Sequence, residues 1–158
     1  MRKIFSLLIL VLVMPGAHAQ TDAITAPESK TTVHLPLQRC ASELQWIDAK
    51  PPMPTGAKVA VIEGNPKTEG HFTIRLKFPP YYKIPAHLHP VDERTTVLSG
   101  AINVGFGEIL DTTSATRLEA GCFYVNPAGV HHFAFTSEQE TEVQVSTNGP
   151  WGLELIEQ

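Results

Sequence analysis

The segment that decides the fold lies in the middle of the chain and reads Ile84-Pro85-Ala86-His87-Leu88-His89-Pro90-Val91-Asp92-Glu93. Residues two apart on an extended strand point to the same side, so His87 and His89 present two imidazoles to one face. Glu93 lies just past a turn that contains Pro90, and from there its carboxylate can reach the same space. Imidazole and carboxylate together suit Zn, Fe, Mn, Ni, Co or Cu(II). A lone His-x-His pair also occurs on solvated strands, so the metal-site hypothesis needs a further ligand.

The sequence on both sides of this segment predicts short β-strands. From His71 to Phe78 apolar residues alternate with polar ones, with a period of two residues. Further strands are predicted over 58–62, 95–98, 101–106, 121–125, 132–135, 142–146 and 151–156. Thirteen prolines and eleven glycines punctuate these strands, and no stretch sustains a helical period of 3.6 residues. The pattern predicts one all-β domain, a sandwich or a jelly-roll barrel.

Together with a later segment, the His-x-His segment resembles the two motifs of the cupin superfamily. The first cupin motif is Gly, five residues, His-x-His, three or four residues, Glu, six residues, Gly. Its positions are occupied here by Tyr81, His87, His89, Glu93 and Gly100. The second motif is Gly, five residues, Pro-x-Gly, two residues, His, three residues, Asn. Its positions are occupied here by Gly121, Pro127, Gly129, His132 and Thr136. Eight of the ten positions match, and the exceptions, Tyr81 and Thr136, are not ligand positions.

The resemblance covers about residues 59–156 and is greatest to short exported bacterial cupins. It implies a double-stranded β-helix, or jelly-roll barrel, with one divalent metal ion in one open mouth. His87, His89, Glu93 and His132 would be the ligands. Three neutral imidazoles and one carboxylate leave one or two coordination positions open, as catalysis requires. The ligand set does not distinguish Fe, Mn, Ni, Zn or Cu. Pairing through an edge strand, and hence a homodimer, is implied by the resemblance only.

The first 19 residues have the pattern of a secretory signal peptide. Arg2 and Lys3 precede an apolar run from Ile4 to Met14, and Ala17-His18-Ala19 forms an A-x-A cleavage pattern. The alternative is an uncleaved N-terminal anchor, although the apolar run is short for a membrane span. We therefore expect an exported protein, periplasmic or secreted. Residues 20–56 form a predicted leader and N-terminal arm, and residues 57–158 the predicted barrel domain.

The charge of the mature chain excludes some classes of partner. Without Arg2 and Lys3, the 12 basic side chains fall to 10 against 16 acidic ones, a net charge of −6. From Leu118 onward the chain has no Lys or Arg. Nucleic acid and anionic membrane surfaces would be repelled, so a small-molecule partner is expected.

Four further side chains are candidates for the pocket around the metal. Tyr81 and Tyr82 precede the metal strand, where a phenol could orient a substrate or pack at the rim. Arg75 would anchor a carboxylate if its face of the strand were the barrel interior; otherwise it is an exposed side chain. Phe106 is either a pocket residue or part of the core. Cys40 and Cys122 could form a disulfide in an oxidising compartment, or remain thiols.

Three functions remain open at this stage. The first is a metal-dependent enzyme with dioxygenase-like chemistry on a small enolisable or phenolic molecule. The second is a non-catalytic metal- or ligand-binding protein of the cell envelope. The third is a metal-dependent isomerase or lyase. The sequence shows no second carboxylate or Lys near the ligands, and it identifies no catalytic residue.

Overall fold

The computed structural model describes residues 36–156 and contains eleven β-strands and one short 3-10 helix, Ala41–Glu43. The strands are β1 (Ile47–Asp48), β2 (Lys58–Glu63), β3 (Gly70–Phe78), β4 (Lys83–Leu88), β5 (Glu93–Ser99), β6 (Ala101–Phe106), β7 (Thr116–Glu119), β8 (Phe123–Asn126), β9 (His132–Thr136), β10 (Thr141–Gly149) and β11 (Glu154–Leu155). The predicted signal peptide, residues 1–19, and residues 20–35 of the predicted leader lie outside the described residues. Within the described part, no helix has the length and apolarity needed to cross a bilayer.

The strands form two antiparallel sheets that pack face to face. One sheet has the order β1-β2-β3-β10-β5-β8, and the other has the order β11-β4-β9-β6-β7. Several neighbouring strands, such as β3 and β10 or β4 and β9, come from distant parts of the chain, as in a double-stranded β-helix. The all-β fold expected from the sequence is confirmed. Ile47 and Asp48, within the predicted N-terminal arm, pair with the first two residues of β2 and extend the larger sheet.

The core is built from the inner faces of the two sheets. On β3 the alternating residues Phe72, Ile74, Leu76 and Phe78 are all buried, as a period of two residues requires of a half-buried strand. They pack against Ile84, Ile102 and other apolar residues of the opposite sheet. Several of these core residues also line the cavity at the buried histidines.

Arg75 lies on the outer face of β3, so the carboxylate-anchor hypothesis is wrong. Its guanidinium donates to Glu142 at 3.1 Å and to Gln144 at 3.2 Å, both on the neighbouring strand β10. The outer position follows from strand alternation, because Ile74 and Leu76 on either side point into the core. Arg75 thus links two strands at the protein surface.

The two positions that differ from the cupin motifs meet at the turn between β3 and β4. Tyr81 lies in this turn, and Thr136, the last residue of β9, contacts it. Tyr81 adopts φ 57°, a left-handed conformation that glycine occupies without steric cost. Its amide donates to the carbonyl of Ser137 at 2.8 Å, and its ring is 68% exposed. Thr136 uses its hydroxyl twice: Oγ1 accepts from the Tyr82 amide at 2.8 Å and donates to the Pro79 carbonyl at 2.7 Å. The turn is therefore held by Thr136 in place of the asparagine of the motif.

We expect Thr136→Ala to lower the free energy of unfolding by about 1–3 kcal/mol, because it leaves the buried Tyr82 amide and Pro79 carbonyl without their partner. Thr136→Ser keeps the hydroxyl and should stay close to wild type. Urea unfolding of both variants measures the difference. Equal loss in the two variants would show that the methyl group, not the hydroxyl, stabilises this turn.

Both cysteines are free thiols in the structure. Cys40 is exposed and Cys122 is partly buried against the core.

Candidate metal centre

A β-bulge in β4 aims His87 into the barrel. The pairing of β4 with β9 joins Ile84 to Ala134 and His87 to His132, so β4 contains one residue more than its partner between these points. The extra residue reverses the alternation, and Ile84 and His87 both become buried although they are three apart. Pro85 lies within the bulge, where a residue without an amide hydrogen is tolerated. The bulge therefore places a histidine on the face that strict alternation would give to Ala86.

Three histidines converge in the interior next to this bulge. His87, His89 and His132 each offer one ring nitrogen, and these nitrogens lie within 4.8 Å of one another. The ring centroids are 4.2 Å apart for His87 and His132 and 5.0 Å apart for His87 and His89. All three side chains are buried. Buried imidazoles with no protein partner between them are the arrangement of a metal site rather than of an apolar core.

Each imidazole is oriented by a backbone carbonyl. The Nδ1 atoms of His87, His89 and His132 lie 2.7, 2.5 and 3.0 Å from the carbonyl oxygens of Pro85, Gly152 and Val130. A carbonyl only accepts, so Nδ1 carries the proton and the lone pair is on Nε2. The Nε2 atoms of His89 and His132 are buried and make no hydrogen bond within the described residues. These orphaned lone pairs are free to coordinate a metal.

Glu93 completes the group at the first residue of β5. Its Oε1 accepts hydrogen bonds from Asn126 Nδ2 at 3.1 Å and from Thr95 Oγ1 at 3.3 Å. Its Oε2 lies 3.0 Å from His89 Nε2. A carboxylate oxygen and an imidazole lone pair repel each other at this distance unless a proton or a metal ion binds both. One oxygen of Glu93 is thus held by the protein while the other faces the histidines.

The two cupin motifs are joined by hydrogen bonds between their turns. The Gly129 amide donates to the His89 carbonyl at 2.9 Å, and the Ala128 amide donates to Asp92 Oδ1 at 3.0 Å. Gly129 has φ 71°, which a glycine adopts without strain. The turn after β8 therefore fixes the loop that positions His89 and Glu93, and it delivers His132 three residues later.

The protonation equilibria match a cation-binding site. Burial lowers the pKa of His87 to about 4, and burial also lowers the pKa of His132. Burial acts to raise the pKa of Glu93, but the neighbouring histidines, His89 first, outweigh it and lower this pKa to about 2. For His89 burial acts downward, and the charge of Glu93 outweighs it and raises the pKa. His87 and His132 are therefore neutral and Glu93 ionised near neutral pH, the states that coordinate metals.

The donor set fits a divalent ion. A metal ion that binds His89 displaces any proton from its Nε2, and the three neutral imidazoles and one carboxylate are then borderline to hard ligands that suit first-row transition metals. Each imidazole donates its other N–H to a carbonyl, which is the usual support of a metal-bound histidine. Within the described residues, no hydrogen bond is made by the buried Nε2 atoms of His89 and His132 or by Oε2 of Glu93. His87, His89, Glu93 and His132 can accordingly hold one metal ion.

Residues that the sequence analysis did not identify support the group. The indole of Trp151 stacks on His89, with ring centroids 5.1 Å apart and planes inclined by 20°. Tyr124 and Asn126 lie on one face of β8, directly opposite Thr95 and Glu93. Burial raises the pKa of Tyr124 well above its usual range, and the charge of Glu93 adds to this, so the phenol keeps its proton. The strand predicted over 121–125 contains Tyr124. That this strand lies beside β5 is a tertiary feature, which the sequence pattern does not show.

The predicted pocket residues lie elsewhere. A cavity of about 20 Å³ lies beside the histidines, and its walls include Tyr124, Asn126 and Trp151. Arg75, Tyr81, Tyr82 and Phe106 are not among the residues that line it. Tyr82 is buried instead against Phe78, at 5.4 Å between ring centroids, and its hydroxyl donates to the Pro54 carbonyl.

Phe106 is also outside the core, contrary to one of the two interpretations of the sequence. It pairs directly with His132 across β6 and β9, so its ring lies on the same face, 6.5 Å from the imidazole centroid. The ring is 58% exposed. Phe106 therefore lies next to the histidines but toward solvent.

Asn126→Ala should weaken metal binding by about 10- to 100-fold, because Glu93 loses the donor that orients its carboxylate. Asn148→Ala, at an exposed position of β10, is the matched control and should bind as wild type. Competition with a chromophoric chelator measures both affinities. Unchanged affinity in Asn126→Ala would mean that the carboxylate orientation does not depend on this amide.

Comparison with known proteins identifies the class. The fold is similar to that of the polyketide cyclase RemF from Streptomyces resistomycificus, with a TM-score of 0.67 and 13% identity, over 78% of this chain and 87% of that chain. It is also similar to an oxalate oxidase, with a TM-score of 0.54 and 23% identity, over 83% of this chain and 68% of that one. Both likenesses concern the fold alone. Together with the motifs and the two packed sheets, they define a cupin-type fold.

The family can be stated more narrowly. The profile of the family described as "Domain of unknown function (DUF4437)" matches residues 67–148, just over half of the chain, and the chain belongs to that family. Among curated relatives, germin-like protein 9-3 of Oryza sativa subsp. japonica is 33% identical over 82 residues, which are 51% of this chain and 38% of that protein. The chain spans little more than a third of the length of the curated relatives it matches.

Proposed function

We propose that the protein binds one divalent metal ion through His87, His89, Glu93 and His132, and that this ion is the centre of its function. The observation that carries the proposal is the pair of buried Nε2 atoms, of His89 and His132, that make no hydrogen bond within the described residues. A buried polar atom without a hydrogen bond costs free energy, and a protein keeps it where a ligand supplies the missing contact. The ionised carboxylate 3.0 Å from His89 Nε2 supports the same conclusion.

We further propose dioxygenase-like chemistry on a small enolisable or phenolic molecule. When bound, the metal supplies Lewis-acid activation of an oxygen ligand and, as Fe(II), reaction with dioxygen. The residues of the chain prepare the site for this. Glu93 and the three imidazoles leave a divalent ion with a net charge of +1, and Trp151 shields His89 from water. The protonated Tyr124, beside Glu93, is placed to donate a hydrogen bond or a proton to an anionic oxygen of the substrate.

Oxygen consumption tests this chemistry. Metal-free protein reloaded with Fe(II) is incubated with a panel of diketones and phenols, and uptake of dioxygen is followed with an electrode. We expect uptake with at least one compound, and a reduced rate with unchanged iron content in Tyr124→Phe. No uptake with any compound at full iron loading would contradict the dioxygenase proposal and leave the metal site standing.

One observation favours a second candidate, a metal- or ligand-binding protein without catalysis. The cavity beside the histidines is about 20 Å³ and takes about one water molecule. An enzyme of this kind must open that space to admit a substrate. Full metal loading without oxygen uptake, together with tight binding of a small molecule, would favour this candidate.

We also propose that the chain is exported and acquires its metal outside the cytoplasm. The basic start, apolar run and A-x-A pattern of residues 1–19 support export. In that compartment raw affinity favours Cu(II) and Zn over Fe and Mn. Intact mass of the exported protein should correspond to cleavage after Ala19, and its metal content should differ from that of protein produced in the cytosol. Identical metal content in both preparations would contradict the second part of the proposal.

A further inference from the structure

A second, much larger cavity lies beside the metal centre. It has a volume of about 500 Å³ and is lined mainly by apolar side chains. Its floor is the inner face of β2 and β3, where Val59 pairs with Leu76 and Val61 pairs with Ile74. Val61 is 46% exposed and Ile47, at its edge, is 59% exposed. The volume is within the range of small-molecule sites, so the cavity can bury one or two rings or a short acyl chain.

The two cavities share a wall. Met53, Leu76, Trp151 and Leu153 line both the small cavity at the histidines and the large one. Trp151 has its indole stacked on His89, and its amide donates to the Pro66 carbonyl, which lies at the large cavity. These shared side chains therefore lie between the large cavity and the cavity at the metal ligands.

The polar groups of the large cavity are mainly donors and cations. Lys50 and Lys67 line it, and neither forms an ion pair within residues 36–156. The carboxylate of Asp48, also at the cavity, is paired with Lys58 at 2.8 Å. Trp151 Nε1 is buried and has no hydrogen-bond partner among the described atoms. The ammonium groups of Lys50 and Lys67, and not this buried N–H, therefore give the cavity its excess of positive charge.

We infer that this cavity binds an organic anion with an apolar body of one or two rings, its anionic group near Lys50 and Lys67. Such a ligand places a carboxylate or sulfonate oxygen within reach of a lysine ammonium group and buries its rings on Val59, Val61 and Leu76. Given the proposed function, on which this step rests, the anion of an enolisable or phenolic substrate belongs to the same class of molecule. Displacement of Met53 and Trp151 then connects the two cavities.

Two fluorescent probes that differ in one group test the inference. The probes are 8-anilinonaphthalene-1-sulfonate and its neutral counterpart N-phenyl-1-naphthylamine, titrated into the full mature protein. We expect one anionic probe per chain and weaker binding of the neutral probe. Lys50→Glu/Lys67→Glu should reduce affinity for the sulfonate about tenfold or more and leave the neutral probe unaffected. Val61→Asp should reduce the affinity for both probes, because it places a charge on the apolar floor.

Matched controls separate the cavity from other exposed apolar surface. Ile109→Asp introduces the same charge at a residue that is 72% exposed and does not line the cavity, and it should bind both probes as wild type. Val61→Phe fills the cavity without adding charge and should also block binding, which covers the case that Val61→Asp does not fold. In Trp46→Phe, Trp151 is the remaining tryptophan of the chain, and its emission should be transferred to the bound probe.

The outcomes distinguish the inference from its alternatives. Equal loss of binding in Ile109→Asp and Val61→Asp, or no loss in either, would overturn it. Probe binding that appears only after removal of residues 20–35 would mean that the chain's own N-terminal segment fills the cavity. Binding that appears only when a dimer dissociates would assign the cavity to a second copy. His87→Ala/His132→Ala should still bind the probe, so a failure of the metal proposal would leave the cavity assignment standing.

Discussion

His87→Ala/His132→Ala is expected to reduce bound metal from one equivalent per chain to background. The two substitutions remove two of three imidazoles and leave His89 and Glu93, which lie at the two ends of the turn between β4 and β5. Two ligands do not complete the coordination of a first-row metal, whose protein sites use three or four. Metal content after dialysis against weak chelator, measured by plasma mass spectrometry, reports the loss.

A matched pair of histidines controls for general effects of the substitution. His71 and His131 lie outside the cluster and face Glu63 at 3.6 Å and Glu108 at 3.3 Å. His71→Ala/His131→Ala should retain full metal content. Both double variants should keep a far-ultraviolet spectrum of β-structure. Retention of stoichiometric metal by the first variant would assign the ion to another site and remove the basis of the functional proposal.

Phe133→Ala is expected to lower the free energy of unfolding by about 3–5 kcal/mol, the cost of removing a fully buried aromatic ring. Phe133 pairs directly with Gly105 across β9 and β6. A Cβ atom added at Gly105 would lie 2.2 Å from Cζ of the Phe133 ring, so the ring occupies the space of the missing side chain. Gly105→Ala should therefore cost about 1–3 kcal/mol by itself.

The two substitutions should be strongly non-additive. In Phe133→Ala the clash is absent, so Gly105→Ala should then cost little or even stabilise the strand. Gly152→Ala is the control, because no described atom lies within 4 Å of its added Cβ. Denaturant unfolding of the four proteins of the cycle measures the coupling. Additive effects would mean that the backbone of β6 and not the Phe133 ring requires glycine at position 105.

The same contact contributes to the metal centre. Phe133 and Gly105 are adjacent in register to the pair His132 and Phe106. The ring of Phe133 over Gly105 therefore packs at the register position next to the one that holds His132. The packing of Phe133 on β6 and the position of the ligand His132 thus belong to neighbouring pairs of the same two strands.

The sequence predicted the fold and the four candidate ligands because both depend on short-range patterns. Alternation in β3 depends on a period of two residues, and the His-x-His and Pro-x-Gly segments have characteristic spacing. Strand β7, Thr116–Glu119, was not predicted, since only Leu118 of its four residues is apolar. The sequence showed that Tyr81 replaces the glycine of the first motif. It did not show that Tyr81 keeps a positive φ of 57°.

The features missed at the site all depend on tertiary contacts. The bulge at Pro85 changes which face of β4 is buried, and its presence follows from the pairing with β9. Gly152 supplies the carbonyl for His89 from 63 residues away. Tyr124 and Asn126 reach Glu93 because β8 pairs with β5 in one register. No local pattern contains these relations, so the support of the ligands could be seen only in the folded chain.

The position of the bound ion tests the central claim most directly. A crystal of the mature protein, diffracted at the absorption edge of the metal found by mass spectrometry, gives an anomalous difference map. We predict one peak, about 2.0–2.2 Å from Nε2 of His87, His89 and His132 and from Oε2 of Glu93. A peak at other residues, coordination through Nδ1, or a fully occupied protein without a peak between these four side chains would contradict the account.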